Sequence, residues 1–469
     1  MSINANALLA VGASPLMSFC PEEMEEIVGI AAALVVNIGC LDRHEIEGMK
    51  IAAATAHRLG KPWVLDPVGA GASRIRTQPA LDRIRDSHPA VIRGTVYDQQ
   101  GGKPLAYVSV TLPGTNYATV TNQDGAFVIK SDLPPRFVSF TLLGYKSQTV
   151  PADRERSMRV SLTRGEFTLD PARVMTGDPL TLLRDAIYRI SDNCPSEPEL
   201  FDCFYRETAQ KRQRFIYISE AVTRMYKSSF RHAFGRDRAA VQKSRLLTSP
   251  RKSDTLAVKV VGGPAQAVDL DLVKNRSFIL NEEDLAYYRF EMMDPVMLDD
   301  RRQFVIRLIP ASDQEFALHN GTIYIDQETL SFTRIELSLD MTDPEKATRV
   351  MLVRKPSDIR FKPKEMSLLL NYKREDGKSR LSYVRTLFRF ECDARKRLWH
   401  TEFTAMAEMV VTNRYNGAAV APISRQESFR SNDVLADKTQ LYFDPDFWKD
   451  YNIIEPTESL EHAIDRLRK

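Results

Sequence analysis

The hydrophobic pattern of this chain changes its period near Gly94. Before that point, stretches of helical period alternate with short unbroken apolar runs; after it, two-residue alternation broken by turn residues takes over. A length of 469 residues also exceeds what one compact core holds. The pattern therefore predicts a multidomain chain, α/β first and mostly β afterwards.

In the first region Pro21 precedes Glu22, Glu23, Glu25 and Glu26. Proline suits the first helical position and carboxylates oppose the positive end of the helix dipole, so a helix starts there. A second helix from Asp42 places Ile46, Met49, Ala53 and Ala56 on one face, with Gly60 as its C-cap. The apolar runs 33–38 and 63–65 lack polar alternation, which predicts parallel strands covered on both faces. The order helix, strand, helix, strand, helix gives an open α/β sheet with right-handed crossovers. Gly39 follows the first strand and Gly69 and Gly71 the second, with Asp66 at the carboxyl end where such sheets form their ligand crevice. A carboxylate at that place either holds a hard cation such as Mg2+ or bonds the backbone of its own Asp66-Pro67 turn.

Composition narrows the function classes. With 43% hydrophobic residues, 27% charged and a net charge of +3, nothing global points to nucleic acid or membrane, and no nucleic-acid partner is expected. The five cysteines, Cys20, Cys40, Cys194, Cys203 and Cys392, are far apart and lack disulfide or zinc spacing. The opening MSINANALLAVGASPLM has neither the basic nor the apolar part of a secretory signal, which predicts a cytoplasmic chain as written. Residues 27–41 are the most apolar stretch and fall short of the roughly 18 to 20 residues a membrane span needs.

The second region predicts strands over 91–97, 106–112, 118–121, 126–129 and 137–142, parted by Gly101-Gly102, Pro113-Gly114 and Asp124-Gly125, as in a small β-sandwich. Residues 164–200 read as a helical connector, with Leu180, Leu183, Ala186, Ile187 and Ile190 on one face and Pro195 and Pro198 stopping it. Residues 201–450 read as a large curved antiparallel sheet with turns near Asn320-Gly321, Asp326-Gln327, Glu375-Asp376-Gly377 and 393–397; residues 451–469 are a C-terminal tail. No G-x-S-x-G elbow, H-E-x-x-H helix or P-loop occurs, and His232, His319, His400 and His462 stand alone. Residues 206–252 hold thirteen lysines and arginines against few acids, which is either a solvated sheet face or a stripe for phosphates of nucleic acid or lipid headgroups.

Five blocks in order, Ala7-Leu8-Leu9-Ala10-Val11-Gly12-Ala13-Ser14-Pro15-Leu16-Met17, Pro21-Glu22-Glu23, Val35-Val36-Asn37-Ile38-Gly39, Leu65-Asp66-Pro67-Val68-Gly69-Ala70-Gly71-Ala72 and Val91-Ile92-Arg93-Gly94, resemble hydroxyethylthiazole kinase. The resemblance covers residues 1–94 and implies a truncated ribokinase-like α/β fragment. It implies MgATP-dependent phosphorylation of a thiazole alcohol in thiamine salvage, with Met17 in the substrate pocket, Asp66 in the magnesium network and Arg93 on ATP phosphates. It also implies oligomers with sites near subunit interfaces. Beyond Gly94 the family's asparagine is missing, Asp98 falls in register with its metal-supporting glutamate, and the nucleotide-binding and catalytic half does not follow. A cradle so reduced loses nearly all its rate, because phosphoryl transfer works by positioning and electrostatics.

Residues 91–163 carry a second resemblance, on Ile92-Arg93-Gly94-Thr95-Val96-Tyr97-Asp98, Gly102-Lys103-Pro104-Leu105, Val108-Ser109-Val110, Thr121-Asn122-Gln123-Asp124-Gly125-Ala126-Phe127 and Gly144-Tyr145. They look like the carboxypeptidase regulatory-like domain, a prealbumin-like sandwich without catalysis of its own. Residues 201–226 and the ending 447–456 resemble uncharacterised Bacteroidetes envelope proteins, which implies a periplasmic or outer-membrane place, with membrane or envelope partners, for the β region alone. The expectation is a chimeric chain: a non-catalytic envelope-type β protein with an inactive kinase fragment. The alternative is an active thiazole kinase whose missing half comes from another chain.

Overall fold

The computed structural model describes residues 9–10, 12–37, 43–59, 61–66, 90–131, 135–153, 157–165, 177–231, 236–251, 254, 258–260, 262–276, 278–394, 401–415, 420–430, 433, 435–438, 442, 454–457 and 462–464. The chain divides into two compact units, Met1–Pro89 and Ala90–Lys469.

In the first unit a 3-10 turn at Pro21–Glu23 leads into α1 (Met24–Ile30), then β1 (Leu34–Asn37), α2 (Arg43–Arg58) and β2 (Trp63–Asp66). The two strands pair in parallel, with Asn37 opposite Asp66. Met24 and Val28 of α1 meet Ala52 and Ala56 of α2 in a small core. Val35 and Val64 stay more than half exposed, so the described residues cover this sheet on one face and not on both as the apolar runs predict. Gly39, Gly60, the loop 67–71 and the third expected helix lie outside the described residues.

The second unit begins with the sandwich, whose strands are β3 (Ala90–Asp98), β4 (Ser109–Thr111), β5 (Ala118–Val120), β6 (Ala126–Ser131), β7 (Phe137–Thr141), β8 (Gln148–Pro151) and β9 (Met158–Leu162). Sheets of order β6-β3-β9 and β5-β4-β7-β8 enclose Ile92, Val96, Val110, Phe127 and Phe140, the two phenylalanine rings meeting edge to face at 5.3 Å. The connector forms α3 (Pro179–Tyr188) and α4 (Ile190–Asn193); Asp178 caps α3 by accepting from the Thr181 amide.

Beyond it come β10 (Glu199–Lys211), β11 (Arg214–Lys227), β12 (Arg238–Thr248), β13 (Lys259–Val260), α5 (Pro264–Asp269), α6 (Leu272–Asn275), α7 (Glu282–Leu285), β14 (Tyr288–Leu298), β15 (Arg301–Pro310), β16 (His319–Asp326) and β17 (Phe332–Leu339). Then follow α8 (Pro344–Met351), β18 (Leu352–Arg354), β19 (Ile359–Glu375), β20 (Lys378–Ala394), β21 (Thr401–Tyr415) and α9 (Leu435–Lys438). Ten of these strands form one antiparallel sheet of order β12-β11-β10-β21-β20-β19-β17-β16-β15-β14. Alternate side chains of one face, among them Tyr205, Met225, Ile306, Ile335 and Leu370, pack with α3 and the short helices around α5 to α7 in the main core. The opposite face carries Phe204, Val222, Tyr383 and Val410, joined by Val120 of the sandwich and Ile454.

Three expectations change. Asn320-Gly321 lies inside β16 and not at a hairpin turn; the glycine is there because a Cβ would stand 2.1 Å from the Glu336 carbonyl oxygen on β17. The helices α5 to α7 interrupt a stretch that reads as strand, because four to six residues are too few to show a helical period. The ending is more than a tail: Ile454 is buried, Asn122 donates to the Glu455 and Pro456 carbonyls at 3.0 Å each, and Ala463 and Ile464 pack on Ile218.

Candidate functional site

The residues expected to serve a kinase fall in different units. Met17 lies in the first unit with 48% of its surface exposed. Asp66, at the end of β2, accepts a hydrogen bond of 2.6 Å from Asn37 Nδ2 at the end of β1. Parallel pairing puts these two strand ends side by side, so Asp66 finds a cross-strand partner; the expected turn at Pro67 lies outside the described residues. Arg93 belongs to the second unit, on an exposed position of β3.

Strand β3 is committed to the sandwich along its whole length. Ala90–Thr95 pair with β6, and Gly94–Asp98 run parallel to β9. At its end Asp98 Oδ1 accepts from the Gln100 amide at 2.9 Å, while Oδ2 accepts from Arg164 Nη2 at 2.8 Å and Tyr145 Oη at 3.1 Å. The Arg164 guanidinium and the turn amides hold this carboxyl down at about 2. Asp98 Oδ1 thus closes the turn that starts the β3 to β4 loop, and Oδ2 ties the strand end to Arg164 and Tyr145. Among the described residues no three His, Cys, Asp or Glu side chains gather as metal ligands.

The basic stretch 206–252 is mixed: Arg206 and Lys227 are buried, while Arg212, Arg231, Arg236 and Arg251 stay exposed. Arg206 is 2% exposed; its Nε donates to Glu220 Oε1 at 2.7 Å, Nη1 to Glu408 Oε1 at 3.4 Å and Nη2 to the Ile454 carbonyl at 2.8 Å. Arg245 holds the other oxygen of Glu220, and Tyr383 Oη donates to Glu408 at 3.1 Å. Burial by itself raises a carboxyl, but the two guanidiniums prevail and keep Glu220 below its usual range. Arg214 pairs with Asp254 at 2.5 Å, and Lys227 lies 2.5 Å from Asp237 and 2.7 Å from Asp271. Sequence reasoning missed this network. Its signal was the hairpin at Arg212-Gln213, both left-handed at φ 50° and 66°, which sets Arg206 opposite Glu220; without glycine the turn did not announce itself.

Of the histidines, His319 is buried in β16, and desolvation alone pushes it down to about 4. His462 is exposed; His232 and His400 lie outside the described residues, as does Cys40.

Comparison with known proteins separates the two regions. Residues 1–98 match the hydroxyethylthiazole kinase family and residues 92–171 the CarboxypepD_reg-like domain. Hydroxyethylthiazole kinase of Brachyspira hyodysenteriae is 55% identical over 94 residues, 20% of this chain and 36% of that protein. Hydroxyethylthiazole kinase 1 of Methanosphaera stadtmanae is 55% identical over 92 residues, 20% of this chain and 32% of its own length. The solved structure of the hydroxyethylthiazole kinase protein from Pyrococcus horikoshii aligns at 50% identity with 18% of this chain and 34% of that one, at a TM-score of 0.18. The chain spans about a third of the length of the curated relatives it matches. A hydroxyethylthiazole kinase family segment therefore occupies 20% of this chain, beside a separate β domain of the CarboxypepD_reg-like kind.

Proposed function

We propose that this chain acts through its β unit, as a non-catalytic binding or structural protein of the cell envelope, and that the kinase-family segment is an inactive fragment. The observation that supports this reading most is strand β3. Residues 92–98 belong to both family matches, yet their backbone pairs with β6 and β9 and Asp98 is engaged by Arg164, Tyr145 and the turn amides. A phosphoryl-transfer site needs its donors free and aimed at the moving phosphate. The test is transfer from MgATP to 4-methyl-5-(2-hydroxyethyl)thiazole by the purified full chain. Product at background is expected; turnover of about 1 to 100 per second, the ordinary range for kinases, overturns the reading.

A second reading draws on the 55% identity across 94 residues: a thiazole-alcohol kinase whose site another chain completes. The same assay on protein isolated with its native partners distinguishes the two, since only this reading expects transfer there and none from the isolated chain.

A further inference from the structure

Part of the positive charge in 206–252 is neutralised within the fold, and Arg236 and Arg238 of this stretch meet two further arginines from a distant turn. Residues 423–430 run along the outer edge of β12. Arg238 Nη1 donates to the Ile423 carbonyl at 2.5 Å, and the Phe429 amide donates to the Ala239 carbonyl at 2.8 Å. Between these anchors Ser424 and Glu427 cap one another, each backbone amide donating to the other's side chain at 3.2 Å. The turn is thus fixed at both ends and in its middle.

On it, Arg425 and Arg430 stand beside Arg236 and Arg238 around a hollow open to solvent, with Phe429 and Ala239 in its wall. Two acids share the hollow, Asp237 and Asp269. Asp237 is already matched, by Lys227 at 2.5 Å and the Ser228 amide at 2.8 Å. One aspartate therefore faces four guanidiniums. Among the described residues the side chains of Arg236 and Arg425 have no hydrogen bond or ion pair, and Asp433, near Arg430, is held by Lys438 at 2.5 Å. Like charges drawn together without counter-charge raise the energy of the free protein, and an anion in their midst removes that cost. A carboxylate is satisfied by one arginine fork; several forks on a fixed frame suit a tetrahedral anion of charge about −1.5 to −2.

We propose that this hollow is a binding site for a phosphoryl group, carried by a small soluble ester or by a lipid headgroup. The site lies wholly in the β unit and is independent of whether the kinase-family segment is active.

The full chain is titrated by calorimetry at constant ionic strength with inorganic phosphate, and by flotation with phosphatidylcholine vesicles with and without phosphatidic acid. Saturable binding is expected in at least one arm: phosphate alone assigns a soluble ester, and phosphatidic acid vesicles alone assign a headgroup. The double variant R425Q/R430Q is expected to bind at least tenfold more weakly, whereas R289Q/R360Q, which removes the same charge from exposed positions elsewhere, binds as the parent does. In phosphate-free buffer R425Q/R430Q is expected to melt at or above the parent temperature, with added phosphate raising only the parent. No saturable binding in either arm, equal weakening by the control pair, or an equal phosphate-induced rise in both proteins overturns the proposal.

Discussion

Gly94 and Met158 face each other across the parallel pair β3 and β9 so closely that a Cβ on Gly94 would stand 2.4 Å from the Met158 carbonyl oxygen. The ring of Phe127 closes the other side at 2.8 Å. Gly94→Val is therefore expected to force β3 and β9 apart and to lower stability by about 2 kcal/mol or more. Urea unfolding followed by circular dichroism checks this; an unchanged midpoint means that the two strands can separate without loss.

The same strand decides where the β unit can be cut. Ala90 and Ile92 are buried, and Ala90–Thr95 pair with β6, so a chain starting at Thr95 lacks half of a central strand. A chain of residues 90–469 is expected to keep the cooperative transition of the sandwich, and one of residues 95–469 to lose it and to aggregate through the exposed edge of β6. Calorimetry and gel filtration of the two truncations decide, and equal behaviour rejects the assignment of β3 to the sandwich core.

Arg206 answers two buried carboxylates at once, Glu220 and Glu408, whose side chains are 0% and 7% exposed. Arg206→Met leaves both without their shared cation and is expected to cost about 3 to 5 kcal/mol. Replacing Glu220 and Glu408 by glutamine in the same chain removes the stranded charges and is expected to restore part of the loss. A double variant cycle by chemical denaturation measures the coupling; additive losses mean the three groups do not act together.

His319 gives the β unit an acid-sensitive term. Its folded-state value, about 4, lies below the unfolded 6.5, so between these pH values the unfolded chain takes up a proton that the native one refuses. Stability from this group is complete above pH 6.5 and falls as pH drops toward 4, by at most about 1.4 kcal/mol per pH unit. His319→Asn is expected to flatten that part of the profile. Melting temperatures from pH 7 to 4 check the slope, and parallel profiles for the two proteins remove His319 as its source.

The sequence by itself determined what short-range chemistry dictates. Pro21 with its acidic followers starts a helix, the apolar runs yield the paired parallel strands Leu34–Asn37 and Trp63–Asp66, and Asp124-Gly125 turns with Gly125 at φ 73°. Each depends on neighbours a few residues apart. Register and long-range pairing were decided elsewhere. Nothing near Arg206 announces that Glu408 and the carbonyl of Ile454, 202 and 248 residues away, would surround it. Nor does the strand-like string around Asn320-Gly321 reveal that the glycine answers the backbone of Glu336 and does not form a turn. The physical reason is the same in both cases. Which charges meet inside an antiparallel sheet depends on which strands become neighbours and in what register, and those are set when the ten strands close over a shared core. The tertiary structure likewise brings Arg425 and Arg430 to Arg236 and Arg238 by laying a distant turn along the free edge of β12, where backbone groups left unpaired by the sheet were waiting for partners.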